Sequence, residues 1–165
     1  MSLHPAGLPW NDGELAMHNI LEVPHDDNPT SMFLSPWASS LLARCPLVAV
    51  GTVDANGWPW TTLWGGEPGF SQRVAQSVIG FKTIVDLTND PVLQTLLGDV
   101  ADGEVMQEKD GGKMVSALAI DLQNRNRVKL YGRSMAGAVT ATEHGLGQMQ
   151  LVVRIEQSLG MCCDH

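Results

Sequence analysis

Two groups of residues in this 165-residue chain combine chemically useful types with a spacing that would hold them together. The first is the run Trp58-Pro59-Trp60-Thr61-Thr62-Leu63-Trp64. In an extended strand Trp58, Trp60, Thr62 and Trp64 share one face, while Pro59, Thr61 and Leu63 share the other. Such a strand can form one wall of a ligand site. The same composition suits a strand whose rings fill a core or a subunit contact, and three tryptophans on one face need a large apolar partner. The second group is cationic: Arg125, Arg127, Lys129 and Arg133. Arg127, Lys129, Tyr131 and Arg133 fall on one strand face, which suits either a phosphate or anionic substrate or a solvated edge, and Asp121 stands where it can pair with them.

The remaining reactive side chains do not form a constellation. His18, His25 and His144 are scattered. Cys162-Cys163-Asp164-His165 contains metal-binding types, but adjacent cysteines have the wrong spacing for a structural zinc site. Cys45, just before Pro46, reads as a buried thiol. HExxH, GxSxG, a Walker loop and GxGxxG between a strand and a helix are all absent, and Gly65-Gly66 is too short to cradle a phosphate. No catalytic residue and no metal ligand is therefore assigned.

The elements that must position these groups are mostly strands. Leu47 to Val53 is β-branched and apolar, Asp54-Ala55-Asn56-Gly57 has tight-turn composition, and Trp58 to Trp64 returns. Pro59 lacks an amide proton, which places it at a strand start or on an edge. Thr83 to Leu87 reads as a short strand, Met114 to Leu122 and Arg127 to Arg133 as a second hairpin, and Gln148 to Leu159 as a last strand. Ser35-Pro36 caps a helix that Pro46 ends, and Asn89 or Asp90 with Pro91 starts another, closed by Gly98. Glu14 to Leu21 suits a further short helix with Leu15, His18 and Ile20 or Leu21 partly buried. The stretch from Met135 to Gly147, rich in alanine and glycine, reads as loop or weak strand. Six strands in sequential hairpins with few helices predict a mainly β chain, a six-stranded antiparallel Greek-key split β-barrel. Residues 1–34 form an irregular lead-in packed on the barrel of residues 35–165, in one domain overall.

Composition limits the partners. The apolar fraction of 44% is ordinary while the charged fraction of 17% is low, which is expected if some apolar surface is hidden against another subunit. A net charge of −8 disfavours nucleic acid and anionic membranes. No apolar run approaches the roughly 20 residues of a membrane-spanning helix, and no basic segment followed by an apolar one opens the chain. Three cysteines do not make a disulfide framework. A cytoplasmic setting is the expectation.

Four stretches taken in order resemble the flavin-binding split-barrel proteins related to pyridoxamine 5′-phosphate oxidase. Trp10 to Ala16 is similar to the opening aromatic-His-x-Gly-Glu pattern of one subgroup, with Asn11 where histidine is usual. Val48 to Phe70, with Val50-Gly51-Thr52-Val53-Asp54 and Pro68-Gly69-Phe70, resembles its central hairpin and loop. Leu118-Ala119-Ile120-Asp121 through Arg125, Arg127 and Gly132 resembles its second hairpin. Gln157-Ser158-Leu159-Gly160-Met161-Cys162 resembles its closing segment, except that the family's Asn-Cys-Pro-Lys is here Met161-Cys162-Cys163-Asp164-His165. A lost lysine and a gained aspartate both weaken attraction for a phosphate.

The resemblance implies a homodimer holding flavin mononucleotide (FMN) at the subunit interface, in some relatives beside a separate reductase. It assigns cofactor contact to Trp60, Thr61, Thr62, Leu63, Lys82, Arg127 and Cys162. The function it implies is that of an FMN-dependent oxidoreductase-like module acting on a small organic substrate. Two alternatives are a split barrel that has lost flavin and binds or converts another small hydrophobic molecule, and a non-catalytic dimeric interaction module.

Overall fold

Alternation of large apolar residues with small or polar ones builds most of this chain into strands. The computed structural model describes residues 8–161 apart from His25 and Asp99. Its strands are β1 (Leu47–Val53), β2 (Pro59–Gly65), β3 (Ser71–Ala75), β4 (Val78–Asp86), β5 (Val105–Gln107), β6 (Met114–Asp121), β7 (Asn126–Ala141) and β8 (Leu146–Met161). They form one antiparallel sheet in the order β2-β1-β6-β7-β8-β4-β3, with β5 paired to β7. Three short helices complete the fold: α1 (Asp12–Leu21), α2 (Pro36–Arg44) and α3 (Pro91–Leu97). None of the helices among the described residues is long and apolar enough to cross a membrane.

The mainly β class is as expected, but the described residues form eight strands in place of the expected six, in an open sheet rather than the expected closed Greek-key barrel. β4 begins at Val78 rather than Thr83 because its buried face, Ile79, Phe81, Thr83 and Val85, alternates with Gly80 and Lys82, which obscure the pattern. β3 follows as its hairpin partner, and β5 is too short to show a period. Of the stretch from Met135 to Gly147, expected as loop or weak strand, Met135 to Ala141 completes β7 and Leu146-Gly147 opens β8. The small residues of the β7 part reflect the helix above them, since a Cβ on Gly137 would collide with the Leu97 side chain of α3.

β7 and β8 are each 16 residues long, and their pairing shifts register at Tyr131/Gly132 and Ser134/Ala136, the kind of irregularity that bends a strand and increases its twist. β4, the last strand but one of the order, comes against β2 at the opposite end. There the Thr83 hydroxyl of β4 donates to the Gly65 carbonyl of β2, a side-chain contact in place of a closing ladder. The inner face carries Val48, Val50, Phe81, Val128, Leu130, Met149 and Leu151, all buried, and Trp64 meets Phe81 edge-on at 5.7 Å between ring centroids. α2 adds Leu41 and Leu42 to this core, and α3 adds Val92, Leu93, Leu96 and Leu97.

A single buried carboxylate ties α3 to the hairpin. Asp90 is the N-cap of α3, and its Oδ1 accepts from the backbone amides of Val92 and Leu93, both at 3.0 Å. Its Oδ2 accepts from the indole of Trp64 at 2.8 Å and the hydroxyl of Thr62 at 3.2 Å, both on β2. Replacing Asp90 by alanine removes the cap and leaves the Trp64 N–H without a partner inside the core. Asp90→Ala is expected to lower unfolding free energy by about 2–4 kcal/mol in urea denaturation. Asp90→Asn, which keeps an acceptor for the cap, is expected to cost less, and equal losses for the two variants would show that the charge, not the geometry, carries the effect.

Candidate functional site

The register of β1 and β2 sorts the hairpin into two faces. Trp60, Thr62 and Trp64 lie opposite Thr52, Val50 and Val48, on the inner face. Only Trp64 is enclosed there: it is 2% exposed, whereas Trp60 is 43% and Trp58 66% exposed, so the three rings do not share one apolar partner. Trp60 instead clamps the turn. Its indole donates to Asp54 Oδ2 at 3.0 Å, while Asp54 Oδ1 accepts from the amides of Asn56 and Trp58.

The outer face of the hairpin borders one of the grooves formed by the described residues. Leu63, Ala49, Leu118 and Lys129 stand in register across β2, β1, β6 and β7, and Ile120 lies opposite Arg127. Leu47, Leu63, Leu118, Ile120 and Leu122 wall a groove of about 590 Å³, with Leu41, Arg44, Cys45 and Asp121 at its margins. That volume is in the range of small-molecule sites. Leu63 is 63% and Leu122 85% exposed, large for aliphatic side chains of a folded chain. The next row of the face is polar: Thr61, Gly51, Ser116 and Tyr131 lie in register. A Cβ on Gly51 would lie 2.8 Å from Ser116 Oγ and 3.5 Å from Thr61 Oγ1, so the glycine leaves two hydroxyls converging over bare backbone.

The sequence-expected cofactor residues are thus divided. Thr61, Leu63 and Arg127 share the outer face; Trp60 and Thr62 belong to the inner side and are engaged with Asp54 and Asp90. Lys82 borders a different groove of about 670 Å³, lined also by the Gly65–Phe70 loop and by Gln148, Gln150 and Ile84. Cys162, with the rest of the closing segment, lies outside the described residues. The sequence singled out Gly51, Leu118 and Ile120 only as parts of the family-like motifs, with no site role, and gave none to Ser116 or Leu122. The register of a hairpin against a distant third strand is not visible in local patterning, although Gly51 in a β-branched run is a signal of close approach.

The charges around the groove are structurally held. Asp121 accepts from the Asn124 side chain at 2.9 Å and from the amides of Gln123 and Asn124, and these bonds hold its carboxyl below the ordinary aspartate range. Burial, then the nearby Asp121 carboxylate, pushes the Cys45 thiol up, which keeps it protonated and unreactive. On β7 Arg133 pairs with Glu156 at 3.8 Å, so the cationic face is partly neutralised at that end. No group of three or more metal-ligating side chains occurs among the described residues.

No family model and no curated protein matches the chain. Solved structures do. A variant form of HupZ from Group A Streptococcus superposes with a TM-score of 0.51 at 12% identity, covering 78% of this chain and 99% of that one. HupZ without the substitution gives 0.51 at 11%, covering 77% and 93%. A candidate pyridoxamine 5′-phosphate oxidase from Lactobacillus delbrueckii gives 0.50 at 16%, covering 78% and 95%. The chain therefore has the fold of pyridoxamine 5′-phosphate oxidase-like proteins, the family its motifs resemble.

The Trp60–Asp54 bond has a measurable signature. Asp54 is held below the ordinary aspartate range, first by the Trp60 indole and then by backbone amides. A carboxylate depressed in the folded state contributes stability above its unfolded-state pKa, and that contribution disappears as pH falls through the folded-state value. Trp60→Phe removes the largest cause. Carbon-detected NMR titration is expected to place the Asp54 carboxyl of Trp60→Phe at higher pH than in the parent, with acid loss of turn stability beginning correspondingly earlier. An unmoved titration would mean that the backbone amides alone set it.

Proposed function

We propose that two copies of this chain pack through the outer sheet face, and that the groove beside Thr61 and Leu63 holds flavin mononucleotide in an oxidoreductase-like module for a small organic substrate. The observation that carries this reading is the conjunction on one face of a ring-sized apolar groove, paired hydroxyls over Gly51, and the cations of β7. The family resemblance of the motifs and the shared fold support the same assignment. Leu63, Leu118 and Ile120 would cover the apolar part of the ring and exclude water. Thr61 and Ser116 would address its polar edge, and Arg127 with Lys129 would face the phosphate. Bound there, the flavin would supply the hydride chemistry, while the chain's part is placement and polarity.

A second reading, that the barrel has kept its architecture and lost flavin, is favoured by the position of Lys82, which stands at another groove. One experiment separates the two. Native mass spectrometry of protein made in flavin-replete cells is expected to report a dimer carrying flavin, with the matching visible absorbance. Leu63→Glu, which puts a charge in the groove, is expected to abolish retained flavin and shift the protein to monomer while leaving its far-ultraviolet circular dichroism unchanged. A colourless dimer that binds no added flavin would replace the first reading with the second, and a parent that is monomeric at micromolar concentration would end both.

A further inference from the structure

The outer side of β3, β4 and β8 carries a glycine that packing does not demand. Gly80 lies inside β4, in register between Gln72 of β3 and Val152 of β8. The irregularity of the β3–β4 pairing falls further along, between Arg73 and Ala75. Among the described residues, a Cβ built on Gly80 would meet a single atom, a Val74 methyl carbon at an ordinary 3.5 Å. Its φ is not positive either, so an L side chain would fit the backbone. Gly66, by contrast, is required: a Cβ there would lie 2.9 Å from the Phe70 Cβ. A glycine inside a strand costs stability, and where neither a bend nor a close backbone contact requires it, it marks a place kept open for a ligand.

Gly80 lines the groove of about 670 Å³ that Lys82 also borders. The loop beside it is held in shape, since the Phe70 amide donates to the Glu67 carbonyl at 2.9 Å and the Lys82 amide to the Phe70 carbonyl at 2.7 Å. In the row next to Gly80, Lys82 stands opposite Gln150, and in the row beyond it Ile84 stands opposite Gln148. Lys82, Gln72, Gln148 and Gln150 are all exposed. Among the described residues, none of these four side chains has a hydrogen-bond or ion-pair partner. Amides elsewhere on the surface are engaged: Asn89 with Asp86, Asn124 with Asp121 and Gln94 with the Thr88 carbonyl. One ammonium and three carboxamides without partners thus converge on a strand position left bare. Ile84 and Val74, each more than half exposed, add an apolar part to the same groove.

We propose that this groove binds a small monocarboxylate with an adjoining amide and a short aliphatic chain, the chemistry of an N-acyl amino acid. Lys82 takes the carboxylate in a charge-assisted hydrogen bond. A glutamine carboxamide both donates and accepts, and so does an amide group, so Gln150 and Gln72 match it in two complementary bonds. The aliphatic chain lies against Ile84 and Val152. A single ammonium, with the Glu67 carboxylate on the lining of the groove and a net charge of −8 on the chain, suits one negative charge and not the two of a phosphate. The groove beside Leu63 is a separate place: the two adjoin where Leu47, which lines one, pairs with Gly65, which lines the other. This site goes beyond the flavin reading and does not depend on it.

The test is a proton–nitrogen NMR titration of the full chain with N-acetylleucine. Saturable shifts are expected at the backbone amides of Gly66, Gly80 and Lys82 and at the side-chain amide of Gln150. Gly80→Val puts a side chain into the groove on a backbone that accepts one. It is expected to abolish the shifts while the thermal unfolding midpoint stays at or above that of the parent. Lys82→Met, at an exposed position, is expected to weaken binding about tenfold. Should Gly80→Val lower the midpoint, Lys82→Met decides alone, and an unchanged affinity overturns the site. Unaltered shifts in a stable Gly80→Val would overturn it as well. No saturable shift with N-acetylleucine, or shifts at Gly80 and Lys82 only with gluconate, inorganic phosphate or flavin mononucleotide, would overturn the ligand class. Flavin in the other groove is read in the same spectra at Thr61, Leu63 and Ser116, so the two readings fail separately.

Discussion

The Asp90 carboxylate is buried, and both of its oxygens are used, which constrains everything near it. A buried charge is tolerated only when donors surround it, and here two backbone amides of α3 and two side chains of β2 supply them. Neither element can move without stranding the other's polar groups. With α3 held in place, its Leu96 and Leu97 cover β7, the Lys113 ammonium reaches the Leu96 carbonyl at its C-terminal end at 3.0 Å, and β7 must carry Gly137 where the helix lies closest. The Thr62 and Trp64 positions of β2 are thereby committed to the core. A ligand or partner approaching the hairpin is left with the outer face.

Short aspartate-anchored turns set the ends of the strands in a similar manner. β1, β4 and β6 each run out through an apolar residue into an aspartate: Val53-Asp54, Val85-Asp86 and Ile120-Asp121. Each carboxylate accepts from backbone amides two to four residues on, and Asn89 and Asn124 add side-chain donors to the second and third. The device lets Arg125 adopt a positive φ of 58° in the turn before β7, a conformation that a side chain other than glycine or asparagine adopts at some cost. These turns keep registers exact enough for Thr61, Gly51 and Ser116 to fall in one row.

Much of this was legible from residue types alone, and the limits have physical causes. The β1–β2 hairpin is readable because β-branched alternation and the Asp-Ala-Asn-Gly turn agree, and α2 and α3 because Ser35-Pro36 and Asp90-Pro91 are strong starts. β3 and the first half of β4 escape because Gly80 and Lys82 sit on a solvent-facing side, and the far half of β7 because close helix packing selects the small residues that local propensity assigns to loops. At the site, strand parity separates Thr61 and Leu63 from Trp60 and Thr62, but it does not say which face is inside. Three tryptophans suggest that theirs is the buried one throughout, yet only Trp64 reaches the core, since β2 is an edge strand whose turn end is exposed.

The low charged fraction and the exposed aliphatics are one fact seen twice. A single chain of this size has enough interior for Leu34, Leu41, Leu42 and the β-face residues, so Leu47, Leu63, Ile120 and Leu122 are not outside for want of core. They are outside because parity places them opposite residues that already fill it, on a face that the fold gives no layer of its own. A sheet covered on one side only must either be polar on the other or be covered by something else. Here charge is placed on β7, by Arg127, Lys129 and Arg133, whereas β1, β2 and β6 present Leu47, Leu63, Leu118 and Ile120 beside the uncharged row of Thr61, Gly51 and Ser116. The division between an apolar half and a basic half of one face is what gives that face a direction, because an anionic ring system can lie on it in only one sense.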